Sequence, residues 1–229
     1  MNDLTEEIKD NNQVKTKQRV TDHGEVFTAH REVNAMLDLV KQETERIDSR
    51  FLEPACGTGN FLVEILKRKL VVVENRYSKN QLEYERYAIL ALSSIYGVDI
   101  LLDNVHTCRD RLLGIFTHYY LNNYMKEFKP VCLMAAEFIL SKNILWGDAL
   151  SLKTPDEKAE PIVFSEWSAV NGSMIKRRDY TMANLLESQP MDGLNLFSDL
   201  GDRAFIPTPV ADFPLIHFLK LGEDDTNKL

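Results

Sequence analysis

Cysteine is scarce. The 229-residue chain has three, Cys56, Cys108 and Cys132, an odd number at spacings that match neither a zinc site nor a disulfide framework, so they read as reduced thiols. Long apolar runs are absent as well: nothing approaches the ~18 residues of a membrane span, and the N-terminal MNDLTEEIKDNNQVKTKQR has no apolar stretch of the kind a signal peptide needs. These absences predict a soluble cytoplasmic protein. Positive charge is in deficit, with 27 Lys and Arg against 35 Asp and Glu and a net charge of −8. That excludes a generically basic nucleic-acid binder, so any anion-binding face must be local. Internal repeats and low-complexity tracts are also missing, which excludes a repeat array.

What is present suits one large α/β domain with extensions, since a single core grows up to roughly 250 residues. Residues 1–20 are polar, lack apolar periodicity and read as a flexible arm. REVNAMLDLVKQ puts Val33, Met36, Leu37 and Val40 on one helical face, with HGEVFTAH as the loop opening onto it. Phe51 and Leu52 begin a strand, and the segment after Gly59 is helical with Phe61, Leu62, Ile65 and Leu66 inward. A second helical stretch over residues 81–95 leads to IYGVDI, a buried strand; Asp103 then N-caps a helix with Val105, Leu112 and Ile115 inward. VCLMAAEFILSK is a further helix, NILWGDAL a third strand and EPIVFSEW a fourth. Strands alternating with helices predict a doubly wound, mostly parallel sheet with helices on both faces.

After Trp167 the texture changes. NGSMIKRRDY reads as a basic turn, DYTMANLLE as a short capped helix, and FIPTPVADFP has prolines too closely spaced for a core strand. The expected organisation is a domain over residues 21–167 and a loop-rich extension over 168–229.

The most informative stretch is FLEPACGTGNFLVEIL, residues 51–66. A Gly-x-Gly turn leaving a first strand lets backbone approach a ligand beyond the strand ends; without a ligand it is simply a tight strand-to-helix turn. A dinucleotide site wants a third glycine where this chain has Phe61 or Leu62. Glu53, just before the loop, would repel a pyrophosphate and suits a cationic ligand instead.

EPACGTGNF, residues 53–61, resembles the cofactor motif of S-adenosylmethionine-dependent methyltransferases, and its wording is that of N6-adenine DNA methyltransferases of restriction-modification systems. The resemblance covers residues 20 to about 165 and implies a class I methyltransferase, Rossmann-like fold. It implies S-adenosyl-L-methionine as cofactor and DNA adenine methylation in a restriction-modification or mobile-element setting. DNA is the implied partner, with a partner methylase or specificity subunit as a further one. GEVFTAH matches the family's upstream Gly-Glu-x-Phe-Thr-Pro except for Ala29 in place of proline. The cofactor contacts implied are Phe27, Thr28, Glu53, Ala55, Gly57, Gly59 and Asn60, with Asp99 toward the ribose and Asp148 toward the adenine amino group. A strand-end aspartate such as Asp148 is otherwise a turn former.

The family's catalytic quartet, Asn, Asp or Ser followed by Pro-Pro and an aromatic, has no counterpart, because no two prolines are adjacent. That quartet accepts the hydrogens of a poorly nucleophilic amine and stacks on a flipped base. Ser165 and Trp167 occupy roughly the expected place, but a strand end with a core tryptophan explains them as well. The alternative to an active enzyme is therefore a catalytically inactive cofactor-binding fragment, regulator or partner subunit of a DNA methylase. Lys176, Arg177 and Arg178, and secondarily Lys67, Arg68 and Lys69, are candidate phosphate contacts, though solvated surface charge is the default for both groups. His106, His118 and His217 lack metal-ligand spacing, and no metal is expected.

Overall fold

The structure, a computed structural model, describes Arg19, Thr21 and residues 28–187 and 208–223. Its elements begin with α1 (His30–Asp38), α2 (Lys41–Thr44), β1 (Phe51–Glu53), α3 (Asn60–Tyr77), α4 (Gln81–Ser93) and β2 (Ile95–Asp99). They continue with α5 (Leu102–Tyr124), α6 (Pro130–Asn143), β3 (Ile144–Trp146), β4 (Val163–Ala169) and β5 (Met174–Thr181). The chain closes with α7 (Met182–Glu187), β6 (Ala211–Asp212), β7 (Ile216–His217) and a 3-10 turn over Phe218–Lys220. The upstream loop position Phe27 lies outside the described residues.

IYGVD makes a strand because it is short, aromatic and β-branched, and all five residues are buried. β2 therefore takes the centre, pairing in parallel with β1 on one side and β3 on the other. Parallel neighbours require long crossovers. Here each crossover is a pair of helices, α3 with α4 and then α5 with α6. α3 packs on α4 and α5, and α6 packs on the same two, so the four share one core. The mixed α/β class and the parallel sheet are thus as expected.

Departures from expectation have local causes. In α1 only Val33 and Leu37 are buried; Met36 is exposed, and so is Val40, which lies beyond the helix end at Asp38. Leu101, not Asp103, precedes the first turn of α5, and Asp103 instead accepts two hydrogen bonds from Arg19. In that helix Phe116 is buried where Ile115 is only partly so.

The larger correction concerns the fourth strand. β4 forms, but it pairs antiparallel with β5 in a separate sheet, with β6 and β7 along the far edge of β5. This sheet, rather than a second layer of crossover helices, covers the Tyr96 and Val98 side of β2: Ile162, Phe164 and Met182 pack there, with the Tyr96 and Phe164 rings edge to face at 5.5 Å. NGSMIKRRDY is accordingly not a turn throughout, since residues from Met174 onward are strand and only those before it turn. The expected short helix is present as α7, where Thr181 Oγ1 accepts from the Asn184 amide at 3.2 Å. None of the described helices is long and apolar enough to cross a membrane.

At the entry to β1 and β2 sits Lys69, fully buried on α3. Its Nζ donates to the carbonyls of Ile47 (3.1 Å) and Ser49 and to Ser94 Oγ, joining the two strand starts. Burial pulls the ammonium from its ordinary 10.5 down to about 7, against weaker support from Asp48 and Glu43. Between those values the unfolded chain holds a proton that the folded chain does not, so this group adds stability as pH rises from about 7 toward 10.5. We expect denaturant midpoints measured at about pH 6 and about pH 9 to show Lys69→Met reducing that rise. At the higher pH, where the neutral amine still donates, the variant should lose about 1–3 kcal/mol, the cost of acceptors left unpaired.

Candidate functional site

A cleft of about 530 Å³ opens beyond the C-terminal ends of the three parallel strands. One wall is the loop leaving β1. Pro54 and Ala55 follow Glu53, the Cys56 amide donates to the Val98 carbonyl at 2.9 Å, and the Gly57 amide donates to Asp99 Oδ2 at 2.8 Å. Gly57 and Gly59 both have positive φ, 52° and 86°, which L side chains rarely adopt. At Gly59 space forbids a side chain as well: a Cβ would lie 2.5 Å from Cys108 Sγ. Gly59 thus closes the turn onto α5 and is the residue from which α3 starts.

The opposite wall is the end of β2. Asp99 is only 7% exposed, and its Oδ1 accepts from the Leu101 amide (2.9 Å) and from Asn104 Nδ2 (3.2 Å). One carboxylate therefore ties the glycine loop to the start of α5. Beyond β3, Asp148 Oδ1 accepts from the Leu150 amide at 2.9 Å, and the Leu150 N–H and then the Ser151 hydroxyl hold its carboxyl below the usual range. Asp148 is thus a turn former that also faces the cleft.

Glu53 has a different environment. Burial raises its carboxyl above the ordinary value, with partial relief from the Ala55 amide, and no cation among the described residues offsets that cost. It is a half-buried carboxylate at the cleft wall with its charge uncompensated.

Seven of the residues singled out from sequence, Thr28, Glu53, Ala55, Gly57, Asn60, Asp99 and Asp148, converge on this one cleft. Gly59 stands behind it, in contact with Cys108. Ser165 and Trp167 do not join them. Ser165 is buried, donating to Asp179 Oδ1 at 2.7 Å, and Trp167 is buried with its indole N–H on Asn143 Oδ1 at 2.9 Å. Trp167 is a core residue packed edge to face on Phe138.

The basic candidates are also committed elsewhere. Arg177 is buried, donates from Nη2 to Asp179 Oδ2 at 2.7 Å, and stacks over Phe213 with its guanidinium carbon 4.0 Å from the ring centre. Lys176 pairs with Asp212, and Arg178 reaches both Glu166 and Asp212. On α3, Arg68 pairs with Asp38 at 2.8 Å, Lys67 lies 3.8 Å from Glu64, and Lys69 is interior. Among the described residues no group of three or more His, Cys, Asp and Glu is arranged to hold a metal ion.

Sequence reading missed Asn104 and Arg111. Both lie on α5 at positions i and i+7, one face of the helix, flanking the Cys108 that packs on Gly59; that spacing after a strand-end aspartate was the available signal. Ile100 and Leu101 add apolar lining. No family model, curated protein or solved structure matches the chain.

Gly59 provides a direct check on the loop. Gly59→Ala should destabilise the protein by about 2–4 kcal/mol, combining left-handed strain of about 1–2 kcal/mol with overpacking. Adding Cys108→Ala should recover the packing part alone, as measured by denaturant titration of the single and double variants.

Proposed function

We propose that the chain binds S-adenosyl-L-methionine in this cleft and serves N6-adenine DNA methylation. The observation that carries the reading is Glu53: a desolvated carboxylate with no cationic partner among the described residues, at the cleft wall that continues into the glycine loop. Such a group gains from a ligand ammonium, and S-adenosylmethionine supplies one together with a sulfonium whose methyl group is electrophilic. The donor set fits that cofactor. Glu53 would take the ammonium, Asp99 and Asn104 the polar middle, and Ile100 with Leu101 an apolar ring. Asp148, which lines the cleft, would accept from a ring amino group. The volume, about 530 Å³, is of the size of ordinary small-molecule sites. In this reading the chain's own work is to orient the cofactor and exclude water, so that rate comes from proximity rather than from a strong base.

A second reading is favoured by the interior positions of Ser165 and Trp167. Neither reaches the cleft, and in this reading the groups that accept the hydrogens of an adenine amine and stack on a flipped base come from another polypeptide. The chain is then the cofactor-holding partner of a split DNA methylase.

Calorimetry is the first test. We expect binding of S-adenosylmethionine that weakens at least about tenfold in Glu53→Gln, the loss of one buried charge-assisted contact. In the wild type, affinity should fall on acidification at a higher pH than an ordinary glutamate would give, because protonation removes the charge that holds the ammonium. No binding at millimolar cofactor overturns the proposal. Labelled cofactor and mixed-sequence DNA separate the two readings: label on DNA from this chain alone supports a complete enzyme, and label only with the products of neighbouring genes supports the partner.

A further inference from the structure

Arg111 reaches from the third turn of α5 back to the glycine loop. Its Nη1 donates to the Thr58 carbonyl (2.6 Å), the Thr58 hydroxyl (3.1 Å) and Asn60 Oδ1 (2.8 Å). Asn60 Nδ2 in turn donates to the Thr28 carbonyl at 3.0 Å. Thr28 and Asn60 both line the cleft, whereas Arg111 does not.

We propose that Arg111 is a positioning residue that sets the shape of the ligand cleft through Thr58, Asn60 and Thr28. The argument rests on donor and acceptor inventory. A guanidinium only donates, so it can hold only the oxygen end of the Asn60 amide. That choice fixes the orientation of the whole group, and its NH₂ end must then face the Thr28 carbonyl. Without Arg111 the amide could rotate, and the segment before α1 would lose its tie to the start of α3. The same guanidinium grips Thr58, which lies between the two positive-φ glycines. Glycine reaches positive φ without strain but has many other conformations open to it, so a loop with two glycines takes its shape from the contacts around it. Asp99 fastens the loop on the Gly57 side, Cys108 packs behind Gly59, and Arg111 holds the residue between them. α5 thus carries three of the contacts that shape the loop, from Asn104 through Asp99, from Cys108 and from Arg111.

The binding arm of the test rests on the cofactor proposed above; the exchange arm does not. In Arg111→Met, hydrogen exchange of the Gly57 and Gly59 amides, both hydrogen-bonded in the folded chain, should accelerate about tenfold or more, while amides of β2 keep their protection. Calorimetry should show S-adenosylmethionine affinity about tenfold weaker. Arg111→Lys, which keeps the charge and some of the contacts, should lie between the two for both readouts. Loop exchange unchanged in Arg111→Met would overturn the proposal. So would acceleration spread equally over β2, the mark of general destabilisation, or failure of the lysine variant to restore anything. Failure of the wild type to bind the cofactor would overturn the functional reading alone, with the exchange comparison still deciding the role of Arg111.

Discussion

The carboxylate of Asp99 is the constraint on which the cleft depends. It sits at the end of a strand whose five residues are all buried, where an unpaired charge would cost several kcal/mol. Three N–H donors meet it, from Gly57, Leu101 and Asn104. The cost of burying it is thereby converted into a fixed relation among the glycine loop, the end of β2 and the start of α5. Remove the carboxylate and the loop amide and the helix start both lose a partner. A strand-end acid that is satisfied by protein donors still presents lone pairs, and lining the cleft it can accept from a ligand without first moving.

Electrostatics divides the molecule in two. On the cleft side acids are left in excess: Glu53 has no cation beside it among the described residues, and Asp148 is held by neutral donors. Elsewhere four cations are spent internally, Lys69 on backbone oxygens, Arg177 on Asp179, Lys176 and Arg178 on Asp212 and Glu166. With a net charge of −8, such a surface favours a cationic small ligand and opposes a polyphosphate backbone. A DNA-directed role would ask for a local basic surface, and the candidate cations Lys176, Arg177 and Arg178 are already engaged with acids.

Much of the site was legible in sequence because its signals are local. The glycine loop, the acid before it and the acids ending the next two strands lie in short segments whose chemistry does not depend on distant partners. What was not legible had its pattern carried by the wrong residue types. β5 alternates inward at Ile175, Arg177 and Asp179; an ion pair replaces two apolar residues, so KRRDY looks like a surface turn. Lys69 misled through composition, as one of three adjacent basic residues. Periodicity would have corrected it, since Leu62, Ile65, Leu66, Lys69, Leu70 and Val73 form one buried stripe of α3. The pairing of β4 with β5 could not be read at all from a pattern that fits either sheet type.

That pairing bears on chemistry. In a doubly wound sheet the first strand is central, and the next strand after the reversal lies against its free side. Among the described residues β1 pairs with β2 alone, and Leu52 in its middle is 45% exposed. β4, which follows β3 in sequence, has instead turned over the Tyr96 face and paired with β5. Its polar and aromatic groups are thereby drawn into hydrogen bonds with Asp179 and Asn143. Holding a cofactor requires only the ends of β1, β2 and β3, and these converge. Orienting an amine toward it would need further groups at the cleft, and no described residue of β4 lines it. In the proposed reading the two halves of a methyl transfer make separate structural demands, and the cleft at these strand ends bears only on the first of them.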